Sequence, residues 1–509
     1  MDFSLADLIR EHAARQPASP CLSFEGETIS FGEMHARSSR VANALRSSGL
    51  VPGDRVVVVA RNGPAFYELA FGCAKAGTLL VALNWRLSAR EIDVILQDAS
   101  PALVIAGAEQ RSLLPGNGAP VIELETAYAA WRDAAAQADP QHPGRADDTV
   151  AMLYTSGTTG LPKGVMISHR NLQFSARMAR EVWGFSASSV NLVAMPLFHI
   201  GGLGYGMMAL SQGGHTVLLQ APVPEPILDA IVRYRVTHAF FVPTVIQSLV
   251  NAAGVDDMQL GSLELMIYGA APISETLLLR AMAVFGCGFS HAYGLTETSG
   301  TVVTLASEDH DPGGPHAGRL RSCGKALPWV ELGLFDPHTG QRVPQGQVGE
   351  IRVRSGMVMR GYWNKPEATA ETVDAESWLH TGDAASEDAD GFVYIRDRYK
   401  DMIVSGAENV YPTEVENVIY QHPAVAETAV IGIPDERWGE TVKAVVVTRP
   451  GAEVSSAELI AFTRERLAHF KCPTSVSFLD ALPRSASGKI LKRELRLLNW
   501  AEGTSRCAM

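Results

Sequence analysis

The chain has 509 residues, and 43 Lys and Arg against 55 Asp and Glu leave it a formal net charge of −12. That length exceeds one ordinary core and predicts two or more domains, and an acidic balance with no basic cluster argues against nucleic acid as a partner. Six cysteines (Cys21, Cys73, Cys287, Cys323, Cys472, Cys507) without a C-x-x-C pair fit reduced thiols in a cytoplasmic protein and argue against a zinc site.

Met1–Pro17 carries Leu5, Leu8 and Ile9 at helical spacing behind Ser4, interrupted by acidic and basic residues, and reads as an amphipathic first helix, neither signal peptide nor anchor. No run approaches the roughly 18 apolar residues of a membrane span. A soluble protein is expected, with peripheral membrane contact and a homodimer both left open. From Ile29 to Ala106 strands and helices alternate: a strand and helix to Gly49, a strand at Arg55–Ala60, a helix at Ala65–Ala76, an apolar run at Thr78–Leu83, a helix at Ser88–Ala99 and a strand at Ala102–Ala106. This alternation predicts βαβ units and a parallel sheet. Gly107–Asp148, rich in Ala, Pro, Gly and Gln, is expected to form surface structure.

After a stretch treated below, alternation resumes through Val190–Met195, Thr216–Tyr234 and His238–Val242. Leu265–Pro272 reads as strand into loop, with Ser274 capping a helix at Glu275–Phe285, and Gly288–Ala292 as a strand opening onto Tyr293–Gly300. Both junctions are of the kind where α/β sheets bind ligands. From Gly318 short strands predict a β-rich subdomain. Beyond the charged knot Arg396–Asp401, a helix at Pro412–His422, strands at Val425–Ile433 and Val442–Thr448, a helix at Ser455–Phe470 and a strand at Thr474–Phe478 predict a small α+β unit.

Leu153–Val165 packs four Ser and Thr hydroxyls, three glycines and one lysine into thirteen positions after an apolar run. Glycines bring backbone N–H groups close to a phosphate, hydroxyls donate further, and Lys163 adds charge. The stretch fails as a nucleoside-triphosphate P-loop, because Gly160 stands three residues before Lys163, Pro162 intervenes, and Gly164 follows where Ser or Thr would meet magnesium. Gly164–Ile167 reads as a second strand, so the loop is expected inside a hairpin, with a helix starting only near Ser168.

Tyr154–Gly164, Tyr268–Pro272, Tyr293–Glu297, Thr381–Asp383, Arg396–Asp401, Gly406–Pro412 and Pro483–Lys489 stand in the order and approximate spacing of the adenylate-forming superfamily. The chain most resembles its acyl-CoA synthetase branch, the fatty-acid and aryl-acid CoA ligases, over essentially its whole length. The resemblance implies an α/β fold: a large multi-subdomain N-terminal domain, residues 1–399 with a β-rich part at about 318–396, hinged to a small mobile α+β domain at 400–509. It implies ATP, Mg²⁺ and coenzyme A, and a carboxylic acid activated as an acyl-adenylate before transfer to the CoA thiol. A stand-alone adenylation enzyme that loads a carrier protein is the alternative, and a nucleotide-binding regulator without chemistry is a third reading.

By the same resemblance Thr155, Ser156, Gly157, Thr158, Thr159, Gly160 and Lys163 would hold the phosphates, and Glu297 beside Thr296 would ligate Mg²⁺. Tyr293 and Gly294 with Gly269, Ala270 and Ala271 would sandwich adenine, Asp383 would take the ribose hydroxyls with Arg398 assisting, and Lys489 would be the catalytic lysine. Lys400 would fall at the hinge, and Ser405, Gly406, Ala407 and Glu408 would face the pantetheine arm. Ala407 departs from the glycine common in relatives, which sets CoA use against a left-handed backbone that alanine resists. Lys471 could meet a CoA phosphate or be plainly solvated. His199 matches the aromatic gate of an acyl pocket lined by Tyr205, Met207, Met208, Val242, Tyr268, Thr298 and Gly300. Against these stand ordinary alternatives: a loop glutamate, core tyrosines, a core histidine, surface lysines. The pocket lacks the aspartate that would hold an ammonium and the arginine that would hold a second carboxylate, so an apolar acid (fatty, aryl or ring-bearing) is expected.

Overall fold

A computed structural model describes residues 4–504 apart from 117, 157–161, 406–407, 436 and 485–489, with backbone alone at 156, 400 and 500–504. Among these residues the strands form four sheets. The first has the order Val121–Glu123, Leu103–Ala106, Arg55–Val59, Leu79–Leu83, Thr149–Ser156, Pro162–Ser168, parallel except for the last pair. Val56, Val57, Val58 and Val59 are all fully buried, the mark of a strand covered on both faces. The second sheet has nine strands, runs from Lys325–Ala326 to Glu27–Ser30, and holds Leu265–Gly269 and Gly288–Leu295 side by side in parallel.

The third sheet is four-stranded and antiparallel: Glu331–Phe335, Gly349–Arg354, Leu379–Glu387 and Val393–Arg398. The fourth, built on the long Val425–Asp435 and Gly439–Thr448 hairpin, carries Ile403–Ser405, Glu408–Val410 and Ser475–Phe478 with a core of its own around Val415, Val430, Val442 and Leu459. This is mixed α/β architecture with a separate small α+β unit at the C-terminal end. Among the described residues no helix is long and apolar enough to cross a membrane, and Cys21, Cys73, Cys287, Cys323 and Cys472 are free thiols.

The first helix spans Leu5–Arg15 behind the Ser4 cap, as expected, and opens with a Ser4 and Asp7 capping box. Several other elements differ from expectation. Gly107–Asp148 is not only surface chain, since Val121–Glu123 adds an edge strand to the first sheet. The helix expected to reach Phe470 ends at Arg464, where Leu467 turns in against the small unit's core, and His469–Lys471 forms a separate 3₁₀ turn. The strand expected to stop at Ala292 continues to Leu295, because Tyr293, Gly294 and Leu295 pair with Gly300–Leu305.

Candidate active site

Two parallel strands end together. Gly269 lies in register with Ala292, and a Cβ on Gly269 would stand 2.1 Å from the Ala292 carbonyl oxygen, so only glycine allows this approach. Ala270 then takes φ +65°, a left-handed backbone that costs a non-glycine residue about 1 kcal/mol, and half-exposed Ala271 follows. One strand across, Tyr293 is buried and its hydroxyl donates to Asp383 Oδ2 at 2.7 Å. Asp383 sits on the third sheet in register with Arg398, whose Nε lies 3.0 Å from Asp383 Oδ1. Burial and the neighbouring Asp383 push the Tyr293 phenol well above its ordinary range. Burial acts to lower the Arg398 guanidinium, but Asp383 and Tyr293 outweigh it and the net shift is upward. Adenine-side and ribose-side candidates therefore meet in one hydrogen-bonded group.

The phosphate candidates lie on the expected hairpin. Thr155 pairs with Lys163 and Ser156 with Pro162, and the helix begins only after the Ser168 capping box. Gly157, Thr158, Thr159 and Gly160 lie outside the described residues, as does the side chain of Ser156. Lys163 Nζ stands 4.8 Å from the ring centroid of Tyr362, and the Tyr362 hydroxyl donates to Glu297 Oε1 at 2.9 Å. The Met359 N–H donates to the Glu297 carbonyl and the Trp363 N–H to the Gly164 carbonyl, both at 2.8 Å. One segment, 359–363, thus ties the hairpin to the Thr296–Ser299 turn. Nothing in Met359-Arg360-Gly361-Tyr362-Trp363 marks Tyr362 in advance, because its stretch has no periodicity and its partner is 65 residues away.

No group of three or more His, Cys, Asp and Glu side chains able to hold a metal occurs among the described residues. Mg²⁺ keeps several waters and takes substrate phosphate oxygens, so it needs only one or two carboxylates. The donor set around Glu297 fits that ion and does not fit an all-protein cage.

His199 occupies the N-cap position of the helix Ile200–Ser211, with its ring 4.5 Å from Phe198. Tyr205, Met207 and Met208 are buried along this helix, and the Tyr205 ring lies 5.5 Å from Phe240, two residues before Val242. A Cβ on Gly300 would stand 3.9 Å from Ile200. Two hydroxyls of the expected pocket are engaged elsewhere. Tyr268 is hydrogen-bonded to His310 Nε2 at 2.9 Å, while Thr298 Oγ1 donates to the Gly300 carbonyl at 2.6 Å and accepts from the Leu295 N–H at 2.8 Å. An apolar cavity of about 20 Å³ lies between Ile200, Met207, Leu5 and Val150, the room of about one water-sized sphere and far too small for an acyl group.

In the small unit Ser405 pairs with Glu408 and with Gly439, and Gly406 and Ala407 between them lie outside the described residues. Lys471 is held by Glu414 at 2.7 and 2.8 Å. Lys400 lies in a 3₁₀ turn, Tyr399–Asp401, and Lys489 is outside the described residues.

Comparison with known proteins matches residues 9–363 to the family of AMP-binding enzymes and 414–489 to the AMP-binding enzyme C-terminal domain. A fatty acid–[acyl-carrier-protein] ligase of Streptomyces coeruleorubidus is 40% identical over 97% of this chain and 96% of its own length. A feruloyl-CoA synthase of an Amycolatopsis species is 39% identical, covering 95% and 96%. Among solved structures, ATP-bound MatB from Rhodopseudomonas palustris superposes with a TM-score of 0.90 at 32% identity, covering 97% of this chain and 99% of that one.

Proposed function

The chain belongs to the family of AMP-binding enzymes, and on that premise we propose that it is an ATP-dependent acid–thiol ligase that forms an acyl-adenylate and passes the acyl group to coenzyme A. The observation that carries this reading is the single group formed by Tyr293, Asp383 and Arg398, with Glu297 four residues along the same strand-to-turn segment. Glu297, which would face the phosphates, follows the strand Gly288–Leu295, and the Tyr293 hydroxyl on that strand holds Asp383, which would take both ribose hydroxyls, so a bound nucleotide would span a preset distance.

In the first step a substrate carboxylate oxygen attacks the α-phosphorus of ATP. The bond from that phosphorus to the bridging oxygen breaks, and pyrophosphate leaves. Lys163 and the hairpin hold the leaving group, and Lys489 stabilises charge that develops at the α-phosphate. Glu297 would hold Mg²⁺ as its protein carboxylate, and the ion when bound would neutralise charge on the phosphate oxygens. In the second step the CoA sulfur attacks the acyl carbonyl, the carbon–oxygen bond to AMP breaks, and the thiol proton passes to water. Residues 1–399 form the adenylation unit and 400–509 the mobile unit, which turns about Lys400 to exchange Lys489 for Ser405–Asn409. The apolar helix from His199 through Met208 favours a fatty, aryl or ring-bearing acid.

The test is exchange of label between pyrophosphate and ATP across a panel of carboxylic acids. Exchange without CoA, and AMP release only with CoA, is expected. The 40% identical carrier-protein ligase favours a second reading, which AMP release that requires a holo carrier protein in place of CoA would establish. Absence of exchange with every acid rejects both.

A further inference from the structure

We infer that Asp397 couples the nucleotide site to the placement of the small C-terminal unit, as a positioning residue for the reaction proposed above. Neighbouring residues on a strand point to opposite faces, and here that alternation divides two jobs. Arg398 faces Asp383 across the third sheet. Asp397, one residue earlier and buried, faces the other way. Its Oδ2 accepts from the Thr413 N–H at 2.9 Å and from the Thr413 hydroxyl at 3.0 Å. Thr413 stands in the first turn of the helix Pro412–Ile419, whose own N-cap, Tyr411, makes no side-chain cap. A large-domain carboxylate therefore caps a small-unit helix, where a negative charge meets the positive end of the helix dipole.

The same carboxylate reaches Lys492, the first residue of the helix Lys492–Thr504, three positions after Lys489. Lys492 Nζ lies 3.9 Å from Asp397 Oδ2 and 2.8 Å from Glu416 Oε1, and Glu416 Oε1 also accepts from the Val430 N–H at 2.7 Å. One turn further on, Arg496 meets Asp401 at 2.9 Å. On the near side of residues 485–489, Arg484 meets Glu427 at 2.9 Å and the Leu491 N–H donates to the Pro483 carbonyl at 2.8 Å. The described residues on either side of 485–489 are anchored, and one anchor runs through Asp397 to the strand that carries Arg398. A nucleotide that engages Asp383 and Arg398 fixes this strand end, and with it the cap that holds the small unit against it.

The test is Asp397→Asn, which keeps an acceptor for the Thr413 N–H but removes the charge from the cap and from Lys492. Acid-dependent pyrophosphate exchange is expected to fall about tenfold, the scale of one charge-assisted contact, while thioester formation from a synthetic acyl-adenylate changes less than twofold. Thr413→Ser, which keeps both hydrogen bonds, should match the unsubstituted chain. A second readout needs no acid: saturating ATP with Mg²⁺ should slow tryptic cleavage at Arg396, Arg398 and Lys400 in the unsubstituted protein and not in Asp397→Asn. Equal loss in both half-reactions, or equal protection by ATP, overturns the inference. Absence of exchange in the unsubstituted protein overturns the proposed function and leaves the protection assay to decide the coupling.

Discussion

Asp383 holds a tyrosine hydroxyl on one oxygen and a guanidinium on the other; Asp383 and Tyr293 are buried, while Arg398 is part-exposed. Truncation would leave two donors without a partner, and a hydrogen bond to a charged group contributes about 1.5–3 kcal/mol. Asp383→Ala should therefore raise the KM for ATP about 10- to 100-fold with a smaller change in the KM for the acid, which initial rates with each substrate varied in turn would measure. In the proposed reaction Tyr362 would work one step away from the phosphates, since its hydroxyl donates to Glu297 while its ring lies beside the Lys163 ammonium. Tyr362→Phe removes the first contact and keeps the second, so ATP binding should need more Mg²⁺, with the half-saturating concentration raised about three- to tenfold for one lost hydrogen bond. Titration of ATP binding against Mg²⁺ checks this without turnover, and an unchanged midpoint would show that Tyr362 only packs. For Lys489→Ala the expected loss is one-sided. Adenylation should drop about 10²–10³-fold, the scale of one preorganised donor, while thioester formation from a synthetic acyl-adenylate is largely kept.

At the level of elements, the hairpin Thr149–Ser156 and Pro162–Ser168 sets the proposed phosphate loop on a strand pair instead of a helix N-terminus, so the anion contacts proposed for it would come without the dipole of the helix His169–Glu181. The strand ends beside it tolerate no added bulk. A Cβ on Gly294 would stand 1.9 Å from the Gly300 carbonyl oxygen, and backbone on both sides leaves nothing flexible to yield. Gly294→Ala should shift the Tyr293–Glu297 segment and abolish ATP binding, or lower the thermal midpoint measurably, whereas Gly300→Ala meets only an ordinary contact at 3.9 Å and is disfavoured through its φ of +117°. Thermal melts with and without ATP separate the two. The hairpin, the two strand-to-loop junctions and the small α+β unit were legible because each has local signals: apolar runs, turn residues, a Ser cap. What was not legible depends on partners distant in sequence. Tyr362 meets Glu297 across 65 residues and Thr413 meets Asp397 across 16. The continuation of Gly288–Leu295 past Ala292 depends on pairing with Gly300–Leu305, which no single-strand pattern reveals.

Over the whole molecule, the N-terminal helices are locked to the crossing segment near Asp139 by a buried amine. Lys75 is fully buried on the helix Ala65–Ala76, and its Nζ donates to the His35 carbonyl at 2.9 Å and to the Ser38 and Ser39 hydroxyls at 2.9 and 2.8 Å, with Asp139 at 3.6 Å. Burial pushes its pKa down to about 7, the attraction of Asp139 offsetting only part of the penalty. Asp139 is pushed down as well, to about 2, because hydrogen bonds from Arg10 and the Gln141 N–H, with the charge of Lys75, outweigh burial. The sign of the pH dependence follows. Between about pH 7 and the ordinary lysine value of 10.5 the unfolded chain holds a proton that the folded chain has released, so this group makes stability rise with pH, by up to about 1.4 kcal/mol per unit. Below pH 7 both states are protonated and its penalty is constant. Lys75→Met removes the titration, and Ser38 and Ser39 keep their own donors satisfied at the His35 carbonyl. The difference in thermal midpoint between Lys75→Met and the unsubstituted chain, measured from pH 7 to pH 10, should favour the methionine variant most at pH 7 and shrink steadily as pH rises. A difference that stays flat over that window would mean that Lys75 keeps its proton in the fold and that its ion pair with Asp139 dominates.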